Sequence, residues 1–308
     1  MSIRGAVMKA VMMLFLLAAA TLCASAQTFQ VTPLLKQGQR FELRVSRETP
    51  HPSSAKPILT RTPIHVKVIE ASATSTVLEW DYDDPSYENV PPDLKASIGG
   101  MQQAMQQVRL EPVLDADGRF QSLRNWAQVL KESQSILEAA TKQFEGASQA
   151  QMKKLMEEAL TPENVAIEIR NYFAFSGQRF ELRKPVPRTD TTPAPMNLGQ
   201  LQMNVSVELT AITDSEATIV SRSESDPGSE RKIAEALAAR FLPPQERAHM
   251  DLSRFALKVQ ETVTAVIDRT TGMVKRMDRQ YSMQAGPQRM AFSELTEMVT
   301  PPQTPEPK

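Results

Sequence analysis

Hydrophobic and polar residues alternate with a period of two over several short stretches. Phe41, Leu43 and Val45 alternate with Arg40, Glu42 and Arg44, and Ile64, Val66 and Val68 with His65 and Lys67. Leu78, Trp80 and Tyr82 alternate with Glu79, Asp81 and Asp83, and Met203, Val205, Val207 and Leu209 with Asn204, Ser206 and Glu208. Successive side chains of a strand point to opposite faces, so the pattern predicts half-buried strands of antiparallel sheet. The short connections 71–75 and 213–216 predict hairpins. Asp and Gly within 115–118 and 268–272 suit turns that need positive φ.

Elsewhere the spacing changes to three and four. Leu123, Trp126, Leu130, Ile136, Leu137, Ala140 and Phe144 form one apolar stripe, predicting a helix over 123–145 that Gly146 stops. A second helix is expected over 147–160, burying Met152, Leu155, Met156 and Ala159. Thr161, Pro162 and Glu163 read as an N-cap, a first-turn proline and an acidic first turn, opening a third helix to about Phe173. Residues 226–230 open a further helix to Phe241, closed by Pro243 and Pro244, with a weaker counterpart over 92–107. Residues 185–195 read as a linker, and 301–308, with four prolines, as a disordered tail.

The chain also repeats itself. Residues 38–44, Gly-Gln-Arg-Phe-Glu-Leu-Arg, recur unchanged at 177–183. Two further landmarks come in the same order: 62–80 matches 203–220, and 112–120 matches 265–274 with one extra residue in its turn. Three ordered landmarks predict a two-copy duplication of about 140 residues. The expected fold is α+β: two tandem copies of an antiparallel β-sheet unit with amphipathic helices packed on the sheet. The divisions are 1–26, 27–176 (first β-rich repeat with a helical insertion), 177–300 (second β-rich repeat) and 301–308 (Pro-rich tail). The pattern leaves open whether the copies form one curved sheet or two.

Residues 1–26 change the picture of location. Arg4 and Lys9 precede the apolar run 11–20, and Ala24-Ser25-Ala26 fits a signal-peptidase site, predicting a mature start at Gln27. The run is about half the ~20 residues that span a bilayer. No second long apolar stretch occurs, so no transmembrane segment is expected after cleavage. Leu22, before Cys23, is too bulky for a lipid-attachment box. The expected location is periplasmic or extracellular, in a bacterial envelope.

Composition then narrows the chemistry. Lys and Arg total 35 and Asp and Glu 36, which argues against a nucleic-acid partner. The only Cys is Cys23, inside the expected signal, so neither disulfides nor a thiol nucleophile is expected. His51, His65 and His249 have no metal-ligand spacing, and each reads as a surface residue. No Gly-x-Ser-x-Gly, phosphate-binding loop or dinucleotide fingerprint occurs. Asp81, Asp83, Asp84 and Glu88, and the pair Asp115 and Asp117 before Gly118, hint at hard-cation ligands. Both lack the complete oxygen set that ends in a Glu, and a hairpin turn and a solvated strand end account for them. Asn204-Val205-Ser206 fits a glycosylation sequon but falls within a strand. Arg40, Arg44 and Arg47, with Lys275, Arg276 and Arg279, read as solvated sheet surface, and the methionines mostly as core filling. No catalytic residue, cofactor-binding residue or metal ligand is assigned, and no cofactor is expected.

The order signal, β-rich unit, hairpin 113–118, helical stretch 123–173 and second unit from 177 resembles exported bacterial proteins grouped as domains of unknown function. That resemblance implies a topology and no activity. A fold-level likeness to periplasmic lipoprotein carriers and lipid-binding half-barrels adds a curved sheet around helices. The leading expectation is a non-catalytic envelope protein binding an apolar ligand, or a lipidated or extended partner, in a sheet–helix crevice. The alternative is a structural or protein-interaction module that contacts another envelope protein. A hydrolase ranks third.

Overall fold

A computed structural model describes residues 27–51, 54, 56–91, 108–141, 160–194, 199–241, 245, 257–285 and 288–303. The expected signal peptide, the helices over 92–107 and 147–159, Pro243, Pro244 and His249 lie outside the described residues. The first part of the chain forms β1 (Thr28–Gln30), β2 (Arg40–Thr49), β3 (Ile58–Ala71), β4 (Ser75–Tyr82), β5 (Ser86–Glu88), β6 (Pro112–Asp115) and β7 (Phe120–Leu123). Then come the helices α1 (Trp126–Thr141), α2 (Pro162–Val165) and α3 (Ile167–Tyr172). The rest is β8 (Arg179–Glu181), β9 (Val186–Pro193), β10 (Gln200–Ile212), β11 (Glu216–Ser225), α4 (Pro227–Phe241), β12 (Leu257–Asp268), β13 (Val274–Ala285) and β14 (Gln288–Gln303).

The chain is mostly antiparallel β with few helices among the described residues. One 12-stranded sheet runs β7-β6-β4-β3-β2-β14-β13-β12-β11-β10-β9, with β5 paired to β3, and β1 and β8 form a small second sheet. The choice between one sheet and two is thereby settled in favour of one. The two expected hairpins close by backbone bonds from Ser72 N to Ser75 O and from Thr213 N to Glu216 O.

Several boundaries differ from expectation. Residues 186–193 are a strand rather than a linker, and β9 takes an edge position where its prolines cost no interior ladder bond. The tail is shorter than expected, because 301–303 complete β14. Leu123 ends β7 and is buried there, so α1 starts at Trp126 and presents Val129, which lies outside the expected stripe, to the core. The expected third helix splits at Ala166 into α2 and α3. Its start is as expected: Thr161 caps α2 by accepting from Asn164 N at 3.2 Å.

Alternation places the core. Phe41, Leu43, Val45, Ile64, Val66 and Leu78 are buried on one face, and Val205, Val207, Leu209, Ile219, Ala265 and Ile267 continue that face. Each fully buried Val, Leu, Ile or Phe side chain contributes roughly 1.5–3 kcal/mol. Tyr172 shows how the sheet bends. Its ring meets Trp80 of β4 edge-on at 6.2 Å, and its hydroxyl donates to the Val274 carbonyl of β13 at 2.8 Å. β3, β2 and β14 lie between those two strands, so the sheet curves around the segment carrying Tyr172. Phe173 stacks edge-on against Tyr172, and Phe175 against Phe180 of β8, extending the wedge. The N-terminal segment straps across it: Leu34 N donates to Thr271 O at 2.8 Å. Gly272 has φ +66, and a Cβ there would stand 2.1 Å from the Thr32 carbonyl, so the strap needs glycine at that turn.

Candidate functional site

On the sheet–helix side the described residues pack closely around Tyr172. The gap between Val31, Tyr172, Phe175 and Met273 has no room for a water molecule. The large cleft lies on the opposite face. It measures about 1480 Å³, with strands β10 to β14 as its floor, β9 on one side and the β2–β3 connection on the other.

Register builds that floor. Ser206, Arg222, Thr262, Gln280, Ser293 and Glu48 stand directly opposite one another across six neighbouring strands. The next row is Asn204, Glu224, Gln260, Ser282 and Ala291. All are the outward alternates of core residues, which makes the surface polar and rich in hydroxyl and amide groups. A smaller extension of about 250 Å³ continues over Thr264, Asp278 and Arg276. Pro50, His51, Ser54 and Lys56 of the β2–β3 connection form one rim, and Pro187 and Thr189 of β9 the other.

Charge on the floor is partly neutralised. Lys258 Nζ lies 2.5 Å from Glu224 Oε1, lowering the Glu224 carboxyl and raising the Lys258 ammonium relative to their ordinary pKa values. At the far end, Ser225 bonds the Val259 backbone and donates to Glu230, and Asp226 caps α4 by accepting from Ser229 N at 2.9 Å. The surface offers many neutral donors and acceptors. The described residues contain no group of His, Cys, Asp and Glu able to hold a metal.

A second polar cluster lies on the core face. Arg47 bonds Glu168 of α3, and its Nε lies 2.7 Å from Glu294. Arg279 lies 2.9 Å from Glu261 and 3.9 Å from Glu294. Burial works against the Arg47 charge, yet Glu168 and Glu294 hold its pKa above the ordinary value. Tyr82 is pushed up by burial and then by Glu168. The cluster ties α3 to β2, β14, β13 and β12.

This corrects the reading of Arg47 and Arg279 as solvated sheet surface. Arg47 shares parity with Phe41, Leu43 and Val45, and Arg279 with Met277, so both face inward. That signal was present in the alternation. The acids weighed as hard-cation ligands sit in ion pairs and a turn. Asp81 faces Arg109, Glu88 bonds Arg61, and Asp83 lies 3.5 Å from His65. Asp115 Oδ1 accepts from the amides of Asp117 and Arg119, as a hairpin turn requires. His65 is exposed on β3 between Glu42 and Asp83, while His51 reaches the cleft rim. Met273 and Met277 are buried in the core, and Met283 is half-buried. Asn204 of the sequon lies in the cleft floor. The floor as a whole had no signal in the sequence beyond polar alternates, because five strands must be set in register to assemble it.

Fold and cleft together define a mostly antiparallel β protein with one curved sheet and a polar trough on its outer face. No family model matches the chain, and no curated protein does. Among solved structures, lipovitellin, from work on its lipid–protein interactions, resembles 89% of this chain at 9% identity and a TM-score of 0.41. The chain spans 26% of the lipovitellin chain. A porin-like protein from Bacteroides uniformis resembles 88% of this chain and 99% of its own at 7% identity, with a TM-score of 0.19. These likenesses assign neither family nor activity. No helix of the described residues is long and apolar enough to cross a membrane.

Proposed function

We propose that the chain is a non-catalytic exported envelope protein, built from two copies of one β-rich unit, that holds an extended polar segment of a partner polypeptide in the trough. The trough carries this reading: an open floor of facing hydroxyl, amide and charged rows, long in two directions. Such a floor offers hydrogen bonds to a backbone without stacking platforms. The side chains of Tyr281 and Phe292, which contact each other with ring centroids 6.0 Å apart, belong to the core-facing parity. The sheet edges are poor alternatives for strand addition. β9 carries prolines at 187 and 193, and β7 is four residues long.

The test is a random-peptide library panned on the full chain, with Thr262→Trp as the blocked trough and Lys67→Trp as a control on β3. Bound peptides should lose affinity for the blocked variant and keep it for the control. Equal binding to both variants, or no enriched peptide, would overturn the reading. Stoichiometric lipid in native mass spectra of the purified chain would replace it with the apolar-ligand alternative.

A further inference from the structure

We infer that the partner segment is acidic, with carboxylates spaced to reach Arg222 in the trough floor and Arg289 and Lys56 at its margin; this rests on the trough being the binding site. The trough surface carries four cations, Lys56, Arg222, Lys258 and Arg289. The same surface carries three acids, Glu48, Glu224 and Glu230, of which one is paired with a cation. Glu224 pairs with Lys258, while Glu48 accepts from Ser293 Oγ at 3.3 Å and Glu230 from Ser225, bonds to neutral hydroxyls that bring no countercharge. Arg188 and Glu261 share the core-facing parity and pair away from the trough, with Asp190 at 2.9 Å and with Arg279 at 2.9 Å. Among the described residues, Lys56, Arg222 and Arg289 are left without an acidic partner. The trough therefore presents three unpaired cations against two carboxylates, Glu48 and Glu230, that are met only by hydroxyls, which leaves a modest excess of positive charge.

Geometry favours a polymer over a small anion. Arg222 stands between Ser206 and Thr262, whose hydroxyls can donate to the same carboxylate as the guanidinium. Arg289 lies three strands away and four positions further along β14 from Ser293, the member of the Arg222 row on that strand. At ~4.8 Å between strands and ~3.3 Å per residue, the two backbone positions are roughly 19 Å apart. One small anion does not bridge that distance, whereas an extended peptide with acids about six residues apart does. A single-stranded nucleic acid, also anionic, would need aromatic platforms for its bases, and the floor rows contain none.

The experiment measures fluorescence anisotropy of the full chain with three labelled peptides of Ser, Thr and Gln. They carry two Glu, two Gln or two Lys at positions about six apart. The Glu peptide should bind most tightly, and high salt should shrink its advantage over the Gln peptide. Arg222→Gln should reduce that advantage by up to about fivefold, the scale of an exposed ion pair, while the Gln peptide binds both proteins alike. Equal binding of the Glu and Gln peptides, or a Glu advantage untouched by Arg222→Gln, would overturn the inference and leave the trough reading standing. Failure of all three peptides to bind would overturn both.

Discussion

Residues 38–44 and 177–183 are the same seven amino acids and end in different structures. In the first copy, Arg40 opens β2, which continues for 10 residues at the centre of the large sheet. In the second, Arg179 opens β8, which stops after 3 residues and pairs with β1 instead. The residues just downstream decide the outcome. Val45, Ser46 and Arg47 prolong the alternation, whereas Lys184 leads into Pro185 and Pro187, which lack the N–H a central strand must donate. Arg183 adopts φ 60 where the chain turns away, while its counterpart Arg44 remains extended within β2. A short identity fixes local preference, and its neighbours fix length and partner.

Core substitutions test the comparison with the largest expected effects. Phe41 and Phe180 are both buried, so Phe41→Ala and Phe180→Ala should each cost about 3–5 kcal/mol. Leu43 is buried and Leu182 only partly so, which predicts a clear loss for Leu43→Ala and a distinctly smaller one for Leu182→Ala. Urea unfolding of the four variants checks both statements; equal costs at Leu43 and Leu182 would show the two sites to be equivalent after all.

Backbone substitutions should separate the copies by sign. Arg183→Gly relieves a left-handed residue and should stabilise by up to about 1 kcal/mol. Arg44→Gly loosens a strand interior and should destabilise by roughly 0.5–1 kcal/mol. Opposite shifts in Tm support the assignment, and a shared sign refutes it.

The smallest effect concerns the turn at 268–272. Partial burial works to raise the Asp268 pKa, but hydrogen bonds from Thr270 and Thr271 prevail and hold it below its ordinary value. A carboxyl lowered in the folded state stabilises above its unfolded pKa, and that stability is lost as pH falls through the folded one. Asp268→Asn should therefore narrow the Tm difference between neutral and acidic pH. An unchanged Tm–pH profile would dissociate the turn from acid sensitivity.

The strands with clean alternation, β2, β3, β4 and β10, were legible because each has one wet and one buried face. β9 was not, since prolines read as a linker when the edge position that tolerates them is unknown. β14 was also hidden: Glu294 shares the core-facing parity with Thr296 and Met298, which breaks the alternation. The inward charges of Arg47 and Arg279 were misjudged by residue type although their parity pointed inward. The trough depended on register between strands far apart in sequence, and no local pattern encodes that.

The seam between β2 and β14 has a consequence for how the sheet comes into being. Glu48 meets Ser293 across 245 positions of chain, and Glu42 meets Thr300 across 258. The central ladder therefore closes only when nearly the whole chain is present, and such long loops are slow to close. Until then β2 exposes an unpaired edge with a buried-type face, a template for pairing with other chains. Arg44 and Arg47 place positive charge on either face of that waiting edge, and like charges on a second copy would oppose its approach. The last strand thus acts as a closing clasp, and the sheet becomes safe from self-association only when it is fastened.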